Sequence, residues 1–345
     1  MIILERPARR EMMPMEDSPR PRDGAEQFTQ VVESLPNIEC DRKTWLATNP
    51  EGHSPQELNQ QIPEINQIEL DNSRSAAAAP TTLRIVAWNL ERGRHWRKAV
   101  QLIQEHPALM DVDVLLVSEM DLGIARSGYE HTTRELATAL GMNYAYGVEY
   151  LELSANDDPH PHGYHGNAIL SRAPLENLRM LRMPGVEKWY GSHESRLGGR
   201  IALMADIAVA GEALTVVSTH LESGSDSGSA REQESRLILQ ALGDTSPVLV
   251  GGDFNATANT LVLEHFRHQG FLVDEANALD IPTFQLTENE VIRPGNFHID
   301  YILVRGAQVV PHAGSPAVVM AAYPCTPQGD MISDHAAVTT VISLE

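Results

Sequence analysis

Val248-Leu-Val-Gly-Gly-Asp-Phe-Asn255 decides the reading of this chain, because a short apolar run meets a glycine pair, a carboxylate and an amide in immediate succession. Val248 to Gly252 has the length and β-branched content of a buried strand. Asp253 and Asn255 then fall where a sheet ends, a position that holds side chains rigidly beside a cleft. The design recurs along the chain. Asn89 follows Arg84-Ile-Val-Ala-Trp88, Glu119 follows Asp113-Val-Leu-Leu-Val-Ser118, and His220 follows Leu214-Thr-Val-Val-Ser-Thr219. Asp300 interrupts a strand-like run, and Asp334-His335 precedes another. One strand-terminal Asn or Asp is ordinarily a turn residue or helix cap. Six such placements point further, since buried carboxylates are costly unless paired or bound to a cation, and they suggest a metal and a charged substrate.

Around these positions the texture is β-rich. Strands are expected at Leu83–Trp88, Val112–Ser118, Asn167–Ser171, Ile201–Val209, Leu214–Thr219, Val248–Gly252, Ile299–Val304 and Ala336–Ile342. Helical spacing appears at Trp96–Gln104, Thr132–Leu140, Ala230–Leu242 and Thr260–His268. Turns as short as Ala210-Gly211-Glu212 demand antiparallel pairing, so a mixed α/β sandwich fits better than a doubly wound parallel sheet. There is no internal repeat of fixed period, although two strand-rich halves divided near Ser192 are plausible. Residues 1–80 differ in texture, with frequent Pro, Arg, Glu, Gln and Asn and little hydrophobic periodicity. They form an N-terminal extension, either a partly disordered tail or a segment wrapping the domain, with a short helix expected over Gln27–Leu35 and a linker over Ser73–Pro80. Residues 81–345 are expected to form one domain that carries the strand-end polar residues.

Bulk properties narrow the function. No apolar run approaches the roughly 20 residues needed to span a bilayer, and Glu5, Arg9 and Arg10 interrupt the apolar start, so a cytoplasmic location is expected. Cys40 and Cys325 are too few for a disulfide framework or a thiolate metal site and read as incidental thiols. A formal charge of −21 disfavours nonspecific attraction to nucleic acid or anionic membrane, although a bound cation would reverse the field locally.

Taken in order, Trp88-Asn89, Ser118-Glu119, Gly166-Asn-Ala-Ile-Leu-Ser171, Thr219-His-Leu221, Gly251-Gly-Asp-Phe-Asn255, Ile299-Asp-Tyr301 and Ser333-Asp-His335 resemble the motifs of the endonuclease/exonuclease/phosphatase superfamily. The resemblance covers about residues 83 to 343. It implies an α/β fold of two mixed, mainly antiparallel sheets packed face to face with flanking helices, a four-layer sandwich with its site at one sheet edge. It also implies hydrolysis of phosphate esters with a divalent ion. By that resemblance Glu119 is the principal metal ligand with Asn89 beside it, and Asp334 completes the metal site or orients His335. Oxygen donors of this kind suit Mg²⁺, with Mn²⁺ as substitute, better than zinc. Asp253 corresponds to the residue that orients or deprotonates water, Asn255 to its neighbour on the phosphate or nucleophile, and His335 to a phosphoryl-contacting histidine paired with Asp300. His220 stands where family members place a residue near the scissile phosphate.

Substrate choice is less legible. Asn167 touches phosphate or shapes a turn, and Arg200 clamps phosphate or ends a strand in solvent. Arg92-Gly-Arg-His-Trp-Arg-Lys98 combines cations with an aromatic ring, a composition suited to phosphates as well as to a solvated helix start. His160, His162 and His165 form a histidine-rich loop, either at the surface or reaching the pocket, and Asp121–Tyr129, Gly185–Gly199 and Ser223–Gly228 are loop-like borders. The expected partner is a phosphate ester, either a small molecule or single-stranded nucleic acid, with no protein partner evident. A phosphodiesterase is the leading expectation, a DNA or RNA nuclease the alternative and a catalytically silent binding module the third; hydrolysis of another bond on the same scaffold stays open.

Overall fold

The computed structural model describes residues 24–48, 53–74, 81–153, 163–184, 195–288, 291–294, 297–311, 315–319 and 332–344. In chain order the strands are β1 (Glu26–Phe28), β2 (Val31–Val32), β3 (Ile68–Asp71), β4 (Thr82–Asn89), β5 (Val114–Leu122), β6 (Asn143–Glu152), β7 (Tyr164–Ser171), β8 (Glu176–Arg182), β9 (Arg196–Gly198), β10 (Ile201–Val209), β11 (Glu212–His220), β12 (Val248–Asp253), β13 (Gln285–Glu288), β14 (Val291–Pro294), β15 (Asp300–Arg305), β16 (Gln308–Val309), β17 (Ala317–Val319) and β18 (Ala337–Ser343). The helices are α1 (Cys40–Thr48), α2 (Pro55–Asn59), α3 (Trp96–Glu105), α4 (Thr132–Leu140), α5 (Gly228–Leu242) and α6 (Leu261–His268).

Two large sheets result. One runs β1-β8-β10-β11-β12-β15, the other β16-β18-β4-β5-β7-β6-β3-β2, with β17 on β18 and β9 on β6. Most neighbours are antiparallel, while β4–β5, β11–β12 and β2–β3 are parallel. Period-two alternation within each strand builds three apolar layers. Ile85 and Ala87 of β4, Leu116 of β5, Val216 of β11, Leu249 of β12 and Ile302 of β15 meet between the sheets. The opposite-facing Val86 and Trp88 join α3 and α4 residues such as Leu102 and Leu136, whereas Val217, Val250 and Leu303 join Ile238 of α5 and Phe266 of α6. Helices therefore cover both outer faces and complete the sandwich.

Two expectations need correcting. Gln27–Leu35 forms no helix: Glu26–Phe28 pairs with Met180–Arg182 and Val31–Val32 with Ile68–Glu69. Such short pieces owe their structure to hydrogen bonds from a preformed sheet edge, which no local periodicity reports. Nor do the sheets follow sequence halves, because β1 joins the sheet of β8 to β15 while β16 to β18 return to that of β2 to β7. The proposed dividing residue Ser192 lies outside the described residues, as do Cys325, His160 and His162 and most of Ser73–Pro80 and Gly185–Gly199. Among the described residues no helix is long and apolar enough to cross a membrane.

Candidate active site

Register brings the strand-terminal residues together. Asn89 is paired in register with Ser118, His220 with Asp253, and Asp253 with Asp300. The parallel strands β4, β5, β11 and β12 deliver the residues at their C-terminal ends to one edge of the sandwich, where the antiparallel β15 begins with Asp300 and β18 is entered from His335. β5 runs past its expected end through an irregularity between Val117 and Met120, and Glu119 within it has φ of 56°. That kink points a charged side chain away from the pleat in the middle of a strand. Gly252 (φ 143°) makes room in a different way: a Cβ there would collide with the Thr219 carbonyl of the neighbouring strand.

At the centre Asn89 donates through Nδ2 to Asp253 Oδ2 at 3.2 Å and to Glu119 Oε1 at 3.4 Å, linking the two sheets through one amide. Its Oδ1 accepts from the Glu91 amide. Asp253 receives the Asn255 amide at 2.8 Å, and its Oδ2 lies 3.3 Å from His220 Nε2 and 3.7 Å from His335 Nε2. His335 Nδ1 sits 2.9 Å from Asp300 Oδ2, and Asp300 is further fixed because its amide donates to Thr283 Oγ1. Ser333 Oγ donates to the Asn89 carbonyl and accepts from the His335 amide, while Trp88 Nε1 donates to the His335 carbonyl. Asn255 Nδ2 reaches His220 Nε2 and the Leu221 carbonyl, both at 3.1 Å.

The electrostatics differ from group to group. Burial pushes Asp253 up to about 7, reinforced by Asp300 and opposed by His335. Burial also opposes the charge on His335, yet Asp300 and Asp253 hold it well above the usual histidine value. His220 goes the other way, held well below its ordinary value by burial and by the Arg200 cation, and stays neutral. Desolvation opposes the charge on half-buried Glu119 too, but Arg92 and nearby histidines keep it well below the carboxylate range. Asp334 rises to about 6 through burial and the Glu119 and Glu91 charges, partly offset by His335, and its amide donates to Glu91 Oε2.

Two clusters of donors could attract a cation. Asp253, Asp300 and His335 are the group of three found among the described residues whose ligand atoms all lie within 4.8 Å. His335 hydrogen-bonds Asp300 at 2.9 Å and lies 3.7 Å from Asp253, so its one positive charge offsets part of the charge of the two carboxylates. Glu119 and Asp334 offer carboxylate oxygens that disfavour each other until a cation enters, a donor chemistry that fits Mg²⁺ or Mn²⁺, while Asn89 turns its Nδ2 toward Glu119 and its Oδ1 accepts from the Glu91 amide.

Around this centre several sequence expectations change. Arg200 is neither solvated nor free, since its Nη1 is 3.1 Å from Glu149 Oε2 in the buried interior. Asn167 donates to Glu149 Oε1 at 3.2 Å, leaving its own buried Oδ1 without a hydrogen-bond partner. His165 belongs to β7 rather than to a surface loop, and is fully buried between Asp121 (2.9 Å) and Arg92 (3.3 Å). Glu149, Thr283 and Glu91 escaped sequence reading, and Asp121, expected in a bordering loop, lies inside β5. Glu149 left a usable signal, a carboxylate inside the otherwise apolar run Tyr144–Leu151.

Beside His335 and Asn255 opens a cavity of about 510 Å³, lined by Phe284, Phe297, Ile299, Val262, Ala256 and Arg231 among others. Gly224, Ser225 and Gly228 also border it, as expected for the Ser223–Gly228 loop. Phe284 packs edge-on against the His335 ring at 5.3 Å, and Phe297 is 54% exposed. Arg231 is occupied by the Glu222 and Gly224 carbonyls.

The sequence model of the Endonuclease/Exonuclease/phosphatase family matches residues 86–335. No curated protein matches the chain. Among solved structures, an endonuclease/exonuclease/phosphatase from Beutenbergia cavernae DSM 12333 is similar in fold, at 20% identity and TM-score 0.57 over 76% of this chain and 72% of its own. The human Nocturnin catalytic domain with bound sulfate anion is 19% identical with TM-score 0.52, over 78% and 97%. D. rerio TDP2 complexed with single strand DNA product is 19% identical with TM-score 0.50, over 76% and 99%. With a family match that spans most of the sequence and with the sandwich those structures share, the chain belongs to the endonuclease/exonuclease/phosphatase family.

Proposed function

We propose that this protein is a divalent-metal-dependent phosphoesterase, a phosphodiesterase cleaving by in-line water attack. The observation that carries the reading is the Asn89 amide joining Glu119 to Asp253 beside the His335–Asp300 pair. Glu119, Asn89 and Asp334 would hold Mg²⁺ or Mn²⁺, which supplies Lewis acidity at a phosphoryl oxygen when bound. Asp253, with Oδ1 fixed by the Asn255 amide, aims and deprotonates water. His335, kept protonated and turned by Asp300, donates to the oxygen on which charge builds. Neutral His220 and Asn255 lie within hydrogen-bond distance of each other at the same centre and position the phosphate. Asn167 and Arg200 act from behind through Glu149, shaping the wall of the site.

The cavity supports a small ester in preference to a long polyanion. Its walls are mainly apolar and its Arg231 is already engaged by backbone carbonyls, so it suits an apolar or aromatic ester group on the phosphate. A nuclease reading draws on the single-stranded DNA product named for D. rerio TDP2. Salt separates the two, because a protein neutralising many nucleic-acid phosphates loses affinity steeply as salt rises.

The test is hydrolysis of bis-p-nitrophenyl phosphate, p-nitrophenyl phosphate, single-stranded DNA and RNA with Mg²⁺ or Mn²⁺, using chelated protein and Asp253→Ala as controls. Diester cleavage lost in both controls is expected, with Asp253→Ala slower by at least about 10²-fold. Undiminished cleavage by Asp253→Ala overturns the mechanism.

A further inference from the structure

Directly after β4 the backbone turns left-handed at three successive residues, Glu91 (φ 43°), Arg92 (φ 70°) and Gly93 (φ 64°). Residues with a Cβ resist this region, and such strain persists only where the surroundings over-determine it. Here it folds Arg92 back over the irregular part of β5, so that Nη1 lies 3.0 Å from Glu119 Oε2. Both side chains are only 19% exposed. Arg92 is also held from behind. Its Nη1 is 3.3 Å from His165 Nε2, and because a guanidinium only donates, that nitrogen is the acceptor and Nδ1–H donates to Asp121 at 2.9 Å. Asp121 in turn accepts the Arg126 fork at 2.7 and 2.8 Å. The chain Arg126–Asp121–His165–Arg92–Glu119 thus fixes a full positive charge on one oxygen of the carboxylate read above as the metal ligand.

We infer that Arg92 is a built-in counter-cation of the metal site, which engages Oε2 of Glu119 while Oε1 accepts from Asn89, and which sets a weak affinity for a divalent ion in the free enzyme. The inference rests on the assignment of Glu119 as metal ligand. A cation only a few ångströms from the ion's position repels it in a half-buried setting, where solvent screening is poor. An arriving phosphate ester would carry the negative charge that offsets both cations, so the ion is held most firmly together with substrate. Arg92 is in this sense a positioning residue that acts through Glu119.

Mn²⁺ binding to the full chain, followed by electron paramagnetic resonance and calorimetry, tests this in wild type, R92Q, R92K and E119Q, with thermal melts to confirm folding. R92Q is expected to bind Mn²⁺ at least about tenfold more tightly, while R92K, which keeps the charge, stays near wild type. Equal or weaker binding by folded R92Q overturns the inference and leaves Arg92 a prop for Glu119. If R92Q does not melt cooperatively, R92M supplies the same charge deletion. Wild-type affinity in E119Q instead removes Glu119 as ligand, overturning the metal assignment and the inference with it.

Discussion

His335 Nδ1 lies 2.9 Å from Asp300 Oδ2, and the two residues reach this contact from strands in different sheets, β15 carrying Asp300 and the approach to β18 carrying His335. One hydrogen bond therefore ties the site across the sandwich. It orients the imidazole so that Nε2 faces Asp253 at 3.7 Å. Asp300→Asn keeps the size and loses the charge, so the ring is still present but less firmly held as an imidazolium. The expected result is a fall in kcat of at least about 10²-fold on a diester substrate with little change in KM, checked by steady-state kinetics beside a circular dichroism spectrum.

Gly252 precedes Asp253 with φ of 143°, and an added Cβ would run into the Thr219 carbonyl of the adjoining parallel strand. Backbone cannot yield there without shifting Asp253. Gly252→Ala is expected to destabilise the fold by ~3 kcal/mol and to lower activity of the surviving folded protein, read by urea unfolding and by single-turnover rates.

Glu69 anchors the N-terminal segment. Its carboxylate accepts the Leu35 amide (2.8 Å), Tyr144 Oη (2.7 Å) and Arg134 Nη2 (2.9 Å), and meets His131 Nε2 at 2.8 Å. Burial opposes its charge, but the His131 contact and the other donors hold it down at about 2. The folded value lies below the ordinary one near 4.5, so the stabilisation is full above that pH and drains away as the pH falls toward 2. The difference corresponds to about 3 kcal/mol at neutral pH. Urea titrations should show Glu69→Gln destabilised by an amount of that order at pH 7, and the gap to wild type should narrow below pH 4. A gap independent of pH would remove the charge from the explanation.

Phe297 forms an exposed wall of the cavity beside His335. With the proposed ester group seated in that cavity, Phe297 would meet it rather than the phosphate, and Phe297→Ala is expected to raise KM about fivefold for bis-p-nitrophenyl phosphate with kcat nearly unchanged. Methyl p-nitrophenyl phosphate, with one aryl group fewer, should be affected less. An equal effect on both esters would place the aryl group elsewhere.

By itself the sequence determined the elements whose patterns are local. The strand at Ile201–Val209 and the helix at Thr132–Leu140 form with those bounds, since alternation and 3.6-residue spacing are properties of consecutive residues. Polar residues at strand ends were legible for the same reason, and Asn89, Glu119, His220, Asp253, Asn255, Asp300 and His335 do gather at one sheet edge. Tertiary structure alone decided what depends on distant partners. Glu26–Phe28 and Val31–Val32 are strands only because an existing sheet edge offers them hydrogen bonds. β18 crosses back to pair with β4, and Arg200 is neutralised by Glu149, a residue from another strand. Arg92 read as a solvated helix start or a phosphate contact until three left-handed residues turned it onto Glu119. Pairing free energy belongs to two segments at once, and charge compensation to whichever groups the fold brings within a few ångströms, so neither is written in the order of residues around a single position.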